Sequence, residues 1–123
     1  MSYDQNNIFA KILRGEIPNK TVYEDEHVLA FHDIAGAAPI HVLVIPKGDY
    51  ISFHDFSQAA PEVIAAFFAS VRKVVDSLNI AEDGYRLITN HGYNGSQSVE
   101  HFHVHILGGV QLGGLIASDT LVR

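Results

Sequence analysis

From His101 to Ile106 histidine and apolar side chains alternate without a break: His101, Phe102, His103, Val104, His105, Ile106. Side chains of an extended strand point to opposite faces with period two. The run is therefore expected to be a strand with three imidazoles on one face and Phe102, Val104 and Ile106 on the other. A one-residue slip would turn the apolar set outward, so the register is fixed. The apolar face should pack on the core and the histidine face should look into a cleft or solvent, with successive imidazoles roughly 7 Å apart.

The rest of the chain supplies partners for that strand. Asn6 or Asn7 can cap a short helix over 7–14 with Ile8, Phe9, Ile12 and Leu13 on one side, ended by Gly15 and Pro18. Residues 21–24 and 27–33 read as a hairpin, the second arm alternating Leu29 and Phe31 against Val28, Ala30 and His32. Residues 41–45 are short and β-branched, and Pro46, Lys47 and Gly48 stop them. A long helix over about 60–79 carries Val63, Ile64, Phe67, Phe68, Val71, Val74, Val75 and Leu78 on one arc, with Pro61 in its first turn. That arc is wide enough to meet a sheet and a second body, which points to a homodimer. Two more strands are expected at 85–90 and 99–107, joined by a glycine-rich loop at 91–98. The predicted class is α+β, a five-stranded, mainly antiparallel sheet with two helices and a tail at 110–123.

At 123 residues and 47% apolar content, the chain is expected to form a single domain, 1–123. Eight Lys and Arg against fourteen Asp and Glu give a net charge of −6, so no overall basic field favours nucleic acid or an anionic membrane. With no cysteine, thiol nucleophiles, disulfides and cysteine-bound zinc are excluded. The first residues carry Asp4, Gln5 and Asn6 where a signal peptide has a basic patch, and no apolar stretch reaches membrane-spanning length. A cytoplasmic location is expected.

A lone strand histidine is usually a polar surface residue, but three in register after a glycine- and serine-rich loop mark a site. Two chemistries compete. His-x-His plus a distant His41 could give zinc three nitrogen ligands and an open fourth position. Against zinc, the acid beside the array is Glu100, which alternation points to the opposite face. The other chemistry is covalent: a neutral imidazole attacks phosphorus while neighbouring imidazoles and a hydroxyl hold the phosphate oxygens. No metal or other cofactor is expected for it.

The stretch His101-Phe102-His103-Val104-His105-Ile106-Leu107 resembles the His-x-His-x-His-apolar-apolar motif of the histidine triad family. Gly95-Ser96-Gln97-Ser98-Val99 and Leu107-Gly108-Gly109 are similar to its nucleoside phosphoramidase branch, the histidine triad nucleotide-binding proteins. So are Ile8 to Ile12, Glu16-Ile17-Pro18, Ala30 to Ile34, and Ala38 to Lys47. The resemblance implies a histidine-triad fold and hydrolysis of a purine nucleoside 5′-phosphoramidate or aminoacyl adenylate. In it His103 is the nucleophile, and His105 and Ser98 contact phosphate oxygens. His101 and His41 orient the nucleophile and help protonate the departing amine. Asp33 would bind the ribose hydroxyls, and Ile34 would line the base pocket with Phe9, Ile12, His32 and Leu43. Asn90, Ser96, Gln97 and Ser98 would contribute phosphate and ribose contacts.

Two departures stand out. Ser96 replaces the Gly or Ala common before the Gln, and the tail lacks the Trp-Pro-Pro ending of animal relatives, reading more like bacterial members. In this family the C-terminal segment reaches the partner's site in a two-fold dimer. The altered loop and tail leave open a purine-nucleotide-binding module with little turnover, and the zinc-dependent hydrolase is a further alternative.

Overall fold

Five strands form one antiparallel sheet in the computed structural model, which describes residues 2–121. Met1, Val122 and Arg123, the outermost parts of the expected domain and tail, lie outside the described residues. The strands are β1 (Thr21–Glu24), β2 (Val28–His32), β3 (Ile40–Pro46), β4 (Tyr85–Ile88) and β5 (Val104–Gly108), in the order β1-β2-β3-β5-β4. The helices are α1 (Ile8–Leu13), α2 (Phe53–Phe56) and α3 (Pro61–Ser77). Short turns join β1 to β2 and β2 to β3, and β5 returns to the gap between β3 and the edge strand β4. Among the described residues no helix is long and apolar enough to cross a membrane.

The helices start and stop where local chemistry dictates. Asn7 Oδ1 accepts from the Ala10 amide at 2.9 Å and caps α1, and Gly15, at φ +78°, ends that turn. Pro61 opens α3, where its missing N–H costs nothing, and Asn79 closes it in the left-handed region at φ 56°. α2 is absent from the sequence prediction because a single turn has no period to read.

Both sheet faces are covered. Val28, Ala30, Val42, Val44, Val104 and Ile106 pack toward Phe67, Val71, Val74 and Val75 of α3. Leu29, Phe31, Leu43 and Ile45 pack with Phe9 and Ile12 of α1. The half-buried alternation expected for β2 is thus replaced by four consecutive buried residues, because α1 adds a layer on the second face. Phe56 of α2 stacks on Phe102 at 4.6 Å and meets Phe67 at 5.0 Å, tying the segment before β5 to α3.

One carboxylate braces the β1–β2 turn against α3. Asp25 Oδ1 accepts from the amides of His27 and Val28 at 2.7 and 2.9 Å, and Oδ2 accepts from Tyr23 Oη and Ser70 Oγ, both at 2.8 Å. Burial opposes its ionisation, but these donors together hold its carboxyl down at about 2. In Asp25→Asn an amide NH2 would face donors that need an acceptor. The expected loss is about 1–3 kcal/mol in urea unfolding at pH 7, and an unchanged midpoint would count against this bracing role.

Candidate active site

The imidazole face of β5 and its approach is where α1 and the loop after β2 converge. Regular pairing begins only at Val104, not at 99 as the alternation predicts. The preceding residues are tied individually: Phe102 N–H donates to Tyr50 O at 2.6 Å, and Thr89 Oγ1 donates to His103 O at 2.8 Å. Alternation nevertheless holds, with Phe102 in the α3-side core and the histidines opposite.

The three histidines do not share one environment. His101, expected to face a cleft, is wholly buried beneath Tyr3 and Phe9, because the N-terminal segment and α1 cover that end of the face. His103 is 5% exposed and His105 partly exposed, and both line a cleft of about 280 Å³. Ser98, Asp33, Ile34, Phe9, Ile12, His32 and Leu43 line the same cleft, and Ile17, Pro18 and Val99 extend its apolar wall. A concave, mainly apolar pocket with a few convergent polar groups is the form of a small-molecule site.

Hydrogen bonds fix the proton on each ring. A main-chain amide can only donate, so the contact of Ala37 N with His41 Nδ1 at 2.9 Å leaves His41 protonated on Nε2. That Nε2–H donates to His105 Nδ1 at 2.9 Å, so His105 carries its own proton on Nε2. His103 Nδ1–H donates to the carbonyl of His101 at 2.7 Å, leaving a lone pair on Nε2. His101 Nε2–H donates to Pro46 O at 2.8 Å, and its Nδ1 accepts from the Tyr3 hydroxyl. The cleft-lining pair is thus one bare nitrogen and one N–H donor, with ring centroids 5.0 Å apart.

Burial lowers the pKa of all three, which keeps them neutral near pH 7. His105 is pushed down to about 4, first by burial and then by the neighbouring His103 and His41.

An acid does serve the imidazole face, contrary to what alternation around Glu100 implies. Asp33, from the loop after β2, places Oδ2 3.6 Å from His41 Nε2, while its Oδ1 accepts from Ala35 N–H at 2.8 Å. Asp33, His41 and His105 each offer an atom within 4.8 Å of the others, a set that could hold a divalent cation.

His41 meets the site through His105 and is not among the residues lining the cleft. Asn90, Ser96 and Gln97 are likewise outside its lining. Asn90 Nδ2 donates to Gly95 O at 2.6 Å. Gln97 braces the loop through Ile51 O at 2.6 Å, Val99 O at 3.1 Å and Gly92 N–H at 3.0 Å. Ser96 sits at φ +58°, which explains why glycine suits that position. These side chains build the loop that carries Ser98. Tyr3, Pro46 and Ala37, which set the tautomers, carry no sequence signal, because two act through backbone atoms and Tyr3 lies 98 residues from its partner.

The HIT domain family model matches residues 14–112, and the chain belongs to the HIT family. It is 42% identical over 117 residues to the purine nucleoside phosphoramidase of Escherichia coli K12, covering 95% of this chain and 98% of that protein. An uncharacterized 13.2 kDa HIT-like protein of Azospirillum brasilense is 52% identical over 116 residues, covering 94% of this chain and 95% of its own. Among solved structures, a HIT family hydrolase from Clostridium thermocellum superposes with a TM-score of 0.84 at 42% identity, covering 92% of this chain and 98% of that one.

Proposed function

We propose that this protein is a purine nucleoside phosphoramidase, cleaving the P–N bond of a purine nucleoside 5′-phosphoramidate, or the P–O bond that joins the acyl group of an aminoacyl adenylate, through a nucleotidyl-His103 intermediate. The observation that carries the reading is the pairing of a bare His103 Nε2 with a His105 Nε2–H on the wall of one cleft. Attack by the Nε2 lone pair forms a bond from the imidazole to phosphorus as the substrate's own P–N bond breaks. The departing nitrogen takes a proton from solvent and leaves as the amine. Positive charge then sits on the His103 ring, and the Nδ1–H bond to the His101 carbonyl stabilises it. Water attacks phosphorus in a second displacement, releasing the mononucleotide and the neutral imidazole.

His105 Nε2–H and the Ser98 hydroxyl would hold the phosphate oxygens, and Asp33 would accept from the ribose hydroxyls. The apolar wall would take the purine. His101, shut away from the cleft, would orient His103 and not touch the leaving amine. His41 would act through His105. The protein would work in the cytoplasm as a homodimer, for which Tyr85 and Leu87 on the edge strand β4 and Phe68 on α3 offer exposed apolar side chains. The Arg86 guanidinium, which donates to Gly113 O at 2.8 Å and Gly114 O at 3.0 Å, would set the course of the tail toward a partner's site.

The test is turnover of a fluorogenic adenosine 5′-phosphoramidate after exhaustive chelation. Full activity with a nucleotidylated His103 trapped at short times supports the reading. Activity that disappears with the metal and returns with zinc would favour the Asp33–His41–His105 group as a metal centre. Tight mononucleotide binding with no turnover would make the protein a binding module. Because burial lowers the His103 pKa, the acid limb of kcat/KM should fall below the ordinary histidine value of about 6.5. A midpoint at or above 6.5 would contradict that environment.

A further inference from the structure

The N-terminal segment ahead of α1 supplies no residue to the lining of the cleft, yet it reaches the histidine ladder. Tyr3 is half-buried, its ring centroid lies 5.5 Å from that of His101 at an interplanar angle of 70°, and its hydroxyl bonds His101 Nδ1. Neutral His101 must donate through Nε2, because Pro46 O can only accept, so Nδ1 is an acceptor and the tyrosine hydroxyl is its donor. Among the described residues, no side-chain N or O buried from solvent lacks a hydrogen-bond partner. His101 depends on the tyrosine hydroxyl for that at Nδ1.

His101 contributes a second group, its backbone carbonyl, and this is where the nucleophile is anchored. The peptide between His101 and Phe102 is held at both ends: its carbonyl accepts His103 Nδ1–H at 2.7 Å, and its N–H donates to Tyr50 O at 2.6 Å. The side chain of the same residue is clamped between Pro46 O and Tyr3. Two hydrogen bonds, joined through the covalent frame of His101, thus link Tyr3 to the His103 ring and set its tautomer and direction.

We propose that Tyr3 is a positioning residue for the nucleophile: its hydroxyl seats the buried His101 ring, and the seated residue presents the carbonyl that aims His103 Nε2 into the cleft. This rests on the reading of His103 as nucleophile. Removing the hydroxyl leaves a buried ring nitrogen without a donor, and the ring must tilt or admit water to satisfy it. Small displacements of an attacking atom cost rate steeply, while the cleft that binds substrate contains neither Tyr3 nor His101. The loss should therefore fall on kcat and not on KM.

The test is Tyr3→Phe, which keeps the ring and removes only the hydroxyl, in the full-length protein with labelled histidines. The expected result is a kcat about 5- to 20-fold lower with KM within about twofold. The 15N resonance of His101 Nδ1 should move toward that of an unbonded acceptor, and the His103 Nδ1–H should exchange faster with water. A purely structural tyrosine would lower the melting temperature and leave kcat and the His103 proton unchanged, and that result overturns the proposal. Should Tyr3→Phe not fold, the wild-type spectrum decides: a His101 Nδ1 that resonates as a free acceptor overturns the contact. Absence of wild-type turnover would sink the phosphoramidase reading instead, and the two histidine resonances would still report on the anchoring itself.

Discussion

His103→Ala is expected to lower phosphoramidate turnover by at least about a thousand-fold, equivalent to roughly 4 kcal/mol in barrier height. The reason is specific to the ring: its Nδ1–H is committed to the His101 carbonyl, so Nε2 is the unprotonated nitrogen on a cleft-lining side chain. His105 cannot replace it, because its Nδ1 is occupied by His41 and its Nε2 bears the proton. The substitution also opens a space beside Phe9, whose ring centroid lies 5.0 Å from that of the imidazole, so a melt must show that the variant is folded. Mononucleotide binding should survive within about tenfold, since the apolar wall, Asp33, Ser98 and His105 are untouched. A folded His103→Ala with wild-type turnover would show that the nucleophile lies elsewhere. Loss of both binding and turnover would assign His103 to ground-state recognition.

How much of this was legible depended on whether the signal was periodic. The alternation at His101 to Ile106 and the helical arc from Val63 to Leu78 gave β5 and α3, because a period repeated over several residues outweighs local exceptions. The same rule misplaced His101. Period two assigns a face but not the depth of what covers it, and the cover comes from Tyr3 and α1 at the other end of the chain. Four buried residues in β2 escaped for the same reason. Asp33 was recognisable through family resemblance and otherwise read as a turn acid. Its 3.6 Å approach to His41 depends on how the β2–β3 turn closes. Asn90 and Gln97 sit in the right loop, but their side chains are spent on backbone atoms, a distinction that composition cannot make.

Acidification should unfold the protein through the same three imidazoles that make the site. Each of His101, His103 and His105 has a folded-state pKa lowered by burial, whereas in the unfolded chain each returns to about 6.5. Below pH 6.5 the unfolded state therefore binds more protons than the native state, and unfolding becomes easier as pH falls. For these groups stability is full above 6.5 and is lost progressively until the native pKa is reached, about 4 for His105. With allowance for solvent screening of a partly exposed ring, His105 alone accounts for a loss on the order of 2 kcal/mol across that window, and the other two add losses of the same sign. That is a large share of the 5–15 kcal/mol typical of a domain. Asp25 acts in a separate, lower window: its carboxyl is depressed to about 2, so its contribution of about 1 kcal/mol is lost only between about pH 4 and 2. Urea unfolding at pH 7.5, 6.5, 5.5 and 4.5 should show a midpoint that is flat at first and then falls. In His105→Asn the fall should be shallower over pH 6.5 to 4.5, because one proton has been removed from the linkage. A wild-type midpoint constant from pH 7 to 5 would mean that the imidazoles are as free to protonate in the folded protein as in water, which would contradict the lowering of their pKa values by burial.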